Sequence, residues 1–359
     1  MTTTLSENSN KIVVHNNNSG QLVKEEVKVN IDDSVKQEDT KMILSTGITP
    51  DGIKYHVRRM KFEDIDEVLM VWKEIGLYEG TNTIQSFLTI DPEGFYVAVN
   101  ENDGSIIGEV GAVFIEPSTA FIGLYAVRPE YQSKGVGIAV WRQMMTHVGD
   151  KNVGLLAIED QYETYKNKAK LEIEDEVKII EYKRIGLTSP ETICNLIQSI
   201  DNVNLIRVMV NDGDDEIMNK IISYDQSVTG HDRSKLLPLI ISEPDALCLA
   251  AIEVTTGSLL GYGNIHTTNM DRALFGPLFA QTPEIAELLF GQLIDQFPLA
   301  KTCGYHLMAP NTNQTFINQI ASKLNCQQDH ILPRLFRSFC PKLNWNQVYC
   351  ITSPNYTVV

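Results

Sequence analysis

One stretch constrains the fold of this chain more than any other: Leu124-Tyr-Ala-Val-Arg-Pro-Glu-Tyr-Gln-Ser-Lys-Gly135-Val-Gly137-Ile-Ala-Val-Trp141. Its first part ends Ala120–Val127, a run apolar on both faces, as only a central strand can be. After a Pro-containing turn, two glycines free the backbone to curl with its N–H groups inward. A helix from about Val136 to Val148 then starts, with Ile138, Trp141, Met145 and Val148 expected on its buried face. Unpaired amides and the positive end of a helix dipole at one spot bind phosphate, and a pyrophosphate fits.

Two familiar nucleotide loops are excluded. A dinucleotide loop needs a third glycine where this chain has Val140, and a Walker loop needs Gly-Lys-Ser/Thr, whereas Lys134 precedes its glycine. What remains, Gln132-x-x-Gly135-x-Gly137 behind an apolar strand and a Val-Arg-Pro-Glu-Tyr turn, resembles the acyl-CoA loop of the GNAT superfamily of N-acyltransferases. That resemblance implies acetyl-CoA as cosubstrate. Its pantetheine arm would bond to the backbone of Leu124, Tyr125, Ala126 and Val127, and its pyrophosphate would rest on the amides of Gln132, Ser133, Lys134, Gly135, Val136, Gly137 and Ile138.

The rest of the chain sets bounds. A formal charge of −16 argues against nucleic acid, which demands a basic footprint. There is no run of about eighteen apolar residues and no basic, greasy N-terminal leader, so a membrane span and a secretory signal are not expected. Six scattered cysteines without a Cys-x-x-Cys read as reduced thiols, and the dispersed histidines show no metal spacing. The expected setting is cytoplasmic, with the nucleus left open.

The expected fold class is α/β (α+β): two GNAT-like domains, each a mixed, mostly antiparallel sheet flanked by helices, after a disordered tail. Residues 1–48 are polar and lack aromatic side chains, so they read as that tail. Residues 49–172 carry the strand, two helices, hairpin, strand, glycine loop, helix and closing strand of the GNAT order. Residues 173–203 read as a linker. Residues 204–350 repeat the series faintly, and 351–359 read as a C-terminal tail. In the second series the strand-to-helix turn is Gly276-Pro-Leu-Phe-Ala-Gln-Thr282-Pro283-Glu284. Thr282 can cap the helix and Glu284 puts negative charge where a phosphate would sit, closing that copy to CoA. This half resembles the degenerate C-terminal domain of tandem GNAT proteins, through Asp225, Gly230, Asp232 and Arg233 and then Gly276-Pro277-Leu278.

Acyl transfer from a thioester to an amine needs a neutral amine, a polarised carbonyl and a proton for the departing thiolate, without a metal. The resemblance implies a tyrosine acid in the helix after the closing strand, here Tyr165 with Tyr162 in reserve, although the family's Gly-Phe pair is replaced. For the base, Glu159 and Asp160 stand nearest the end of the closing strand, ahead of Glu109 and Glu116. Asp232 and Arg233 are read either as substrate contacts or as a buried ion pair. The expected activity is N-acetyl transfer from acetyl-CoA to a primary amine of a small molecule or amino acid; the alternative is an inactive CoA-binding scaffold.

Overall fold

A computed structural model describes residues 10–16, 22–28, 43–196, 199–210 and 216–356. Near the start, Asn10–Asn16 (β1) and Leu22–Lys28 (β2) pair antiparallel as backbone. The rest of the expected tail up to residue 42 lies outside the described residues. The tail ends earlier than expected, because Ile43–Ile48 (β3) is a strand of the main sheet, half-buried on alternate residues. Leu44–Val359 forms one compact unit.

The first half follows the order read from the sequence. Lys54–Arg59 (β4) leads to Ile65–Glu74 (α1) and Thr83–Ile90 (α2), then Phe95–Asn100 (β5), Ile106–Glu116 (β6) and Thr119–Val127 (β7). Val136–Val148 (α3) and Asn152–Leu156 (β8) follow. The buried stripe of α1 is Ile65, Val68, Leu69, Val71 and Trp72, the i, i+3, i+4 spacing of an amphipathic helix. On α3 the buried face is Val136, Val140, Met144 and Val148, so of the four residues expected there only Val148 is buried. Ile138 is exposed, and Trp141 and Met145 are half-buried. An i, i+4 row starting at Val136 lies against β5, β6 and β7, leaving Trp141 at the edge beside Tyr125 and Tyr165. The expected helix from Gln161 to Ala169 is instead one tight turn, Glu159–Gln161, and one wide π-helical turn, Thr164–Lys168.

Residues 173–185 correct the linker reading. Ile173–Ile185 (β9) is a strand in the middle of the sheet, its inner residues Val177, Ile179, Ile180 and Tyr182 buried. Pro190–Leu196 (α4), Val203–Val208 (β10), Glu216–Thr229 (α5) and Leu236–Ile241 (α6) come next. The second half continues with Leu247–Glu253 (β11), Leu259–Thr267 (β12), Ala273–Ala280 (β13), Pro283–Gln296 (α7), Pro298–Thr302 (α8) and Gly304–Pro310 (β14). Gln314–Lys323 (α9), Gln327–Phe336 (β15) and Val348–Cys350 (β16) end it. The main sheet runs β10-β11-β12-β13-β14-β9-β15-β8-β7-β6-β5-β4-β3, with β16 beside β13.

That order contains an exchange. The last long strand of the chain, β15, pairs with β8 through Arg334–Leu156, Leu335–Leu155 and Phe336–Gly154, so it closes the sheet of the first half. Strand β9, which belongs to the first half in sequence, pairs with β14 from Gly304–Ile185 to Pro310–Ile179 and closes the second. Each half is completed by the other.

The final segment is no tail as far as it is described. Ile351, Thr352, Ser353 and Tyr356 are all at most 2% exposed, and the Tyr356 ring sits 5.0 Å from Phe87 and 5.2 Å from Phe95 in the core of the first half. Two of its polar side chains find a protein partner in place of water: Ser353 Oγ donates to Glu79 at 2.6 Å, and the Asn355 amide donates to the same carboxylate at 2.9 Å. Among the described residues no helix is long and apolar enough to cross a membrane.

Candidate active site

Parallel β7 and β8 pair from Thr119–Asn152 to Ile122–Leu155 and then part. At the parting β7 carries a bulge. Glu109 opposes Ala126 and Gly111 opposes Gly123, so Leu124 and Tyr125 face the single residue Val110, and Leu124 takes a left-handed φ of 54°. A non-glycine residue held there is costly, and such outliers gather at functional sites.

The expected anion loop sits where β7 leads into α3. Ser133 and Gly135 both adopt positive φ, at 60° and 91°, and Gln132 donates from Nε2 to Val127 O at 3.0 Å, pinning the turn to the strand end. The first amide to bond back along the helix is that of Ala139, to Gly135 O, so the amides of Val136, Gly137 and Ile138 precede the internal ladder. No side chain caps this end. Lys134 is engaged with Asp51 at 2.7 Å. A Cβ on Gly137 would come within 2.7 Å of the Tyr125 hydroxyl, so glycine lets helix and strand approach closely. Orphan amides in a left-handed nest fit a diphosphate.

The second half shows the opposite arrangement. Thr282 Oγ1 accepts from Ile285 N at 3.4 Å and caps α7, as its sequence predicts. A second obstruction escaped the sequence reading. β13 and β14 pair only from Ala273–Tyr305 to Phe275–Leu307, and beyond this β16 lies against β13 through Leu278–Cys350 and Phe279–Val348. The parting between the parallel strands is filled by the chain itself.

In the first half the parting opens into a cavity of about 150 Å³. Leu124, Tyr125, Tyr165, Glu181, Met308 and Leu332 line it. Pro354 and Asn355 also contribute to its wall. The lining therefore comes from elements of both halves. Tyr165 stacks on Trp141, ring centroids 6.0 Å apart, and burial followed by the nearby Tyr125 pushes its phenol well above the usual range. It holds its proton at neutral pH. Tyr162 is occupied elsewhere, donating to Glu174 at 2.5 Å and accepting from Lys166 at 2.9 Å.

The expected bases fare differently. Glu159 and Asp160 are exposed and do not line the cavity. The reason is that the chain after β8 turns outward in a tight turn in place of continuing a helix over the strand ends. Glu116 holds Ser118 in a turn at 2.5 Å. Glu109 is fully buried with neither oxygen hydrogen-bonded among the described residues, and burial holds its carboxyl well above the usual range. Among the described residues the one acidic side chain in the cavity wall is Glu181 on β9, which sequence reasoning missed because that segment read as a linker. Tyr78 donates to Glu181 Oε1 at 2.8 Å, His306 Nδ1 lies 3.1 Å from the same oxygen, and the two rings stack at 3.9 Å. At the mouth, Glu181, Asp329 and His330 bring ligand atoms within 4.8 Å of one another, with Asp329 bonded to Lys183 at 2.5 Å.

Asp232 and Arg233 do not form a pair, and neither lines the cavity. Asp232 is exposed and bonds Ser234 N at 3.0 Å. Arg233 is buried against Asp225, donating from Nε at 2.8 Å and also from Nη2, while Tyr262 donates to the same carboxylate. Its Nη1 donates to Thr352 Oγ1 at 2.6 Å. The correct partner lay eight residues back, one helix end away, and the ion pair anchors the final segment.

A mixed sheet whose central parallel strands part beside an uncapped, glycine-opened helix defines the fold of the acyl-CoA N-acyltransferases. The chain belongs to the GNAT superfamily: the Acetyltransferase (GNAT) family model matches residues 60–167, and the Acetyltransferase (GNAT) domain model matches residues 221–350. The two matches together take in more than half of the chain. Holothin acyltransferase of Pseudoalteromonas sp. (strain SANK 73390) is 22% identical over 276 residues, spanning 76% of this chain and 85% of that protein. Among solved structures, a candidate acetyltransferase of Pyrococcus horikoshii superposes with a TM-score of 0.63 at 17% identity, covering 84% of this chain and 96% of its own. A tandem GNAT protein from the clavulanic acid biosynthesis pathway gives a TM-score of 0.58 at 13% identity, covering 79% and 98%. The fold is that of a tandem GNAT protein, and its family's chemistry is acyl transfer.

Proposed function

We propose that the protein transfers an acetyl group from acetyl-CoA to a primary amine of a small molecule or amino acid, in the cavity where β7 and β8 part. The single observation that carries this is the pairing of an uncapped amide nest at α3 with a half-buried, protonated Tyr165 on the wall of that cavity. Acetyl-CoA supplies an activated carbonyl and a thiolate leaving group. The amides of Ser133 to Ile138 would hold its diphosphate, and the bulge at Leu124 and Tyr125 offers backbone groups to its arm. Tyr165 would give the departing sulfur its proton. About 150 Å³ holds an object near benzene in size, which favours a short acyl group and a slim acceptor. The six cysteines are free thiols, which suits a reducing cytoplasm.

The relative's name concerns acyl transfer to holothin, and a small-molecule acceptor is consistent with it. A second reading, a CoA-binding scaffold without turnover, is favoured by the altered residues after Tyr165, where Ala169 and Lys170 stand. The decisive experiment is free-thiol release from acetyl-CoA with a panel of amines. Release above the amine-free rate supports the transferase; binding without release from any amine supports the scaffold.

A further inference from the structure

We propose that Glu181 binds the acceptor's ammonium group and takes its proton, which makes the acceptor a small cationic aliphatic amine selected through the exchanged strand β9; this rests on the acetyl-transfer reading. Glu181 is 5% exposed, yet it lines the same cavity as Tyr165. A buried carboxylate is retained where something offsets its desolvation. Here both hydrogen bonds, from Tyr78 and His306, fall on Oε1, and Oε2 receives neither.

The supports of Glu181 are rigid. Its backbone pairs with Met308 on β14, and the Tyr78 hydroxyl also touches Met308 Sδ at 3.4 Å. A carboxylate offers only lone pairs, so His306 donates from Nδ1, and its other ring nitrogen is Nε2. That atom is buried and has no partner among the described residues. The other carboxylates are spent or remote: Glu79 serves Ser353, Asn355 and Gly80 N; Asp329, which with His330 comes within 4.8 Å of Glu181, is bonded to Lys183; and Glu159 and Asp160 face solvent. Leu156, Met308 and Leu332 give the rest of the acceptor side an apolar character, suited to the body of an alkylamine.

The step balances as follows. The ammonium gives one proton to Glu181 Oε2, leaving a neutral amine and a neutral carboxyl group. The amine's lone pair forms the C–N bond to the thioester carbon; the C–S bond breaks, sulfur takes the Tyr165 proton, and the surplus proton on nitrogen returns to Tyr165. Glu181 then releases its proton to water. The products are the amide, free CoA and one proton.

The test uses the full chain, acetyl-CoA and primary amines of graded basicity, reading free CoA. Glu181→Gln should lower kcat/KM for strongly basic amines by about a hundredfold or more. It should leave the KM for acetyl-CoA and the melting rise caused by acetyl-CoA unchanged. The loss should shrink for weakly basic amines and as pH rises, because these acceptors arrive neutral. Tyr78→Phe should give a smaller loss with the same grading, and it carries the test alone if Glu181→Gln does not fold. A loss equal across all amines, or under threefold for every one, overturns the assignment while leaving acetyl transfer intact. A wild-type protein that releases no CoA with any amine overturns both.

Discussion

Trp141 and Tyr165 lie nearly face to face, their rings 25° from parallel and 6.0 Å apart, and so tie the helix that opens at the amide nest to the turn that carries the proposed acid. In the proposed reaction, diphosphate and acyl carbon belong to opposite ends of one long molecule. A link between α3 and the 164–168 turn would keep these two ends in register.

Removing only the hydroxyl should separate chemistry from binding. Tyr165→Phe is expected to keep the stack on Trp141 and the melting rise with acetyl-CoA, while kcat for CoA release falls about a hundredfold. Calorimetry and thiol release on one preparation check both halves of this statement. Loss of the melting rise would mean that the tyrosine is a packing residue.

The amide nest should fail when its close approach is blocked. With Gly137→Leu, a side chain must occupy space within 2.7 Å of the Tyr125 hydroxyl, which pushes α3 away from β7. A ligand at a hundred times its dissociation constant adds about 2.7 kcal/mol to stability, and this gain should vanish in the variant. A gain of unchanged size would place the diphosphate elsewhere.

Acidity should stabilise the contact between the halves. Glu243 receives hydrogen bonds from Ser86 at 2.8 Å and Thr83 at 3.3 Å on α2, and burial, aided by the charges of Asp245 and Glu79, pushes its carboxyl up from 4.5 to about 8. The folded protein therefore holds a proton that the unfolded chain releases between these values. The contribution is full below pH 4.5 and is lost as pH rises through 8. The melting temperature should fall across this window, by an amount worth a few kcal/mol at most, and Glu243→Gln should flatten the fall. Burial also raises the Glu79 carboxyl, so some slope should persist in the variant.

Neither half should fold alone. Residues 44–172 lack β15, which leaves the outer edge of β8 unpaired and removes Leu335 and Phe336 from the core. Circular dichroism and limited proteolysis should find that piece disordered, and coexpression with residues 173–359 should restore the fold. A stable isolated piece would show that the exchange is dispensable.

Local order was legible in the sequence because it is written locally. Periodicity placed α1 and its stripe, the β5–β6 hairpin and the strand-to-helix unit at Gly135. Threonine, proline and glutamate at 282–284 announced a capped helix. What could not be read depends on partners far along the chain. Glu-Ile-Glu-Asp-Glu176 looks like a solvated spacer until β14 and β15 flank the strand it begins, and Ser-Pro-Asn-Tyr356 looks like a tail until Glu79 and the Phe87–Phe95 pair receive it. Glu181 escaped notice for the same reason: it reaches the cavity only through the exchange.

A ribosome delivers this chain from one end. The sheet that carries the amide nest cannot be finished until Phe336 has emerged, long after β8 has been made. During synthesis the early half must wait with a bare strand edge, a state that invites chaperones and favours folding after release.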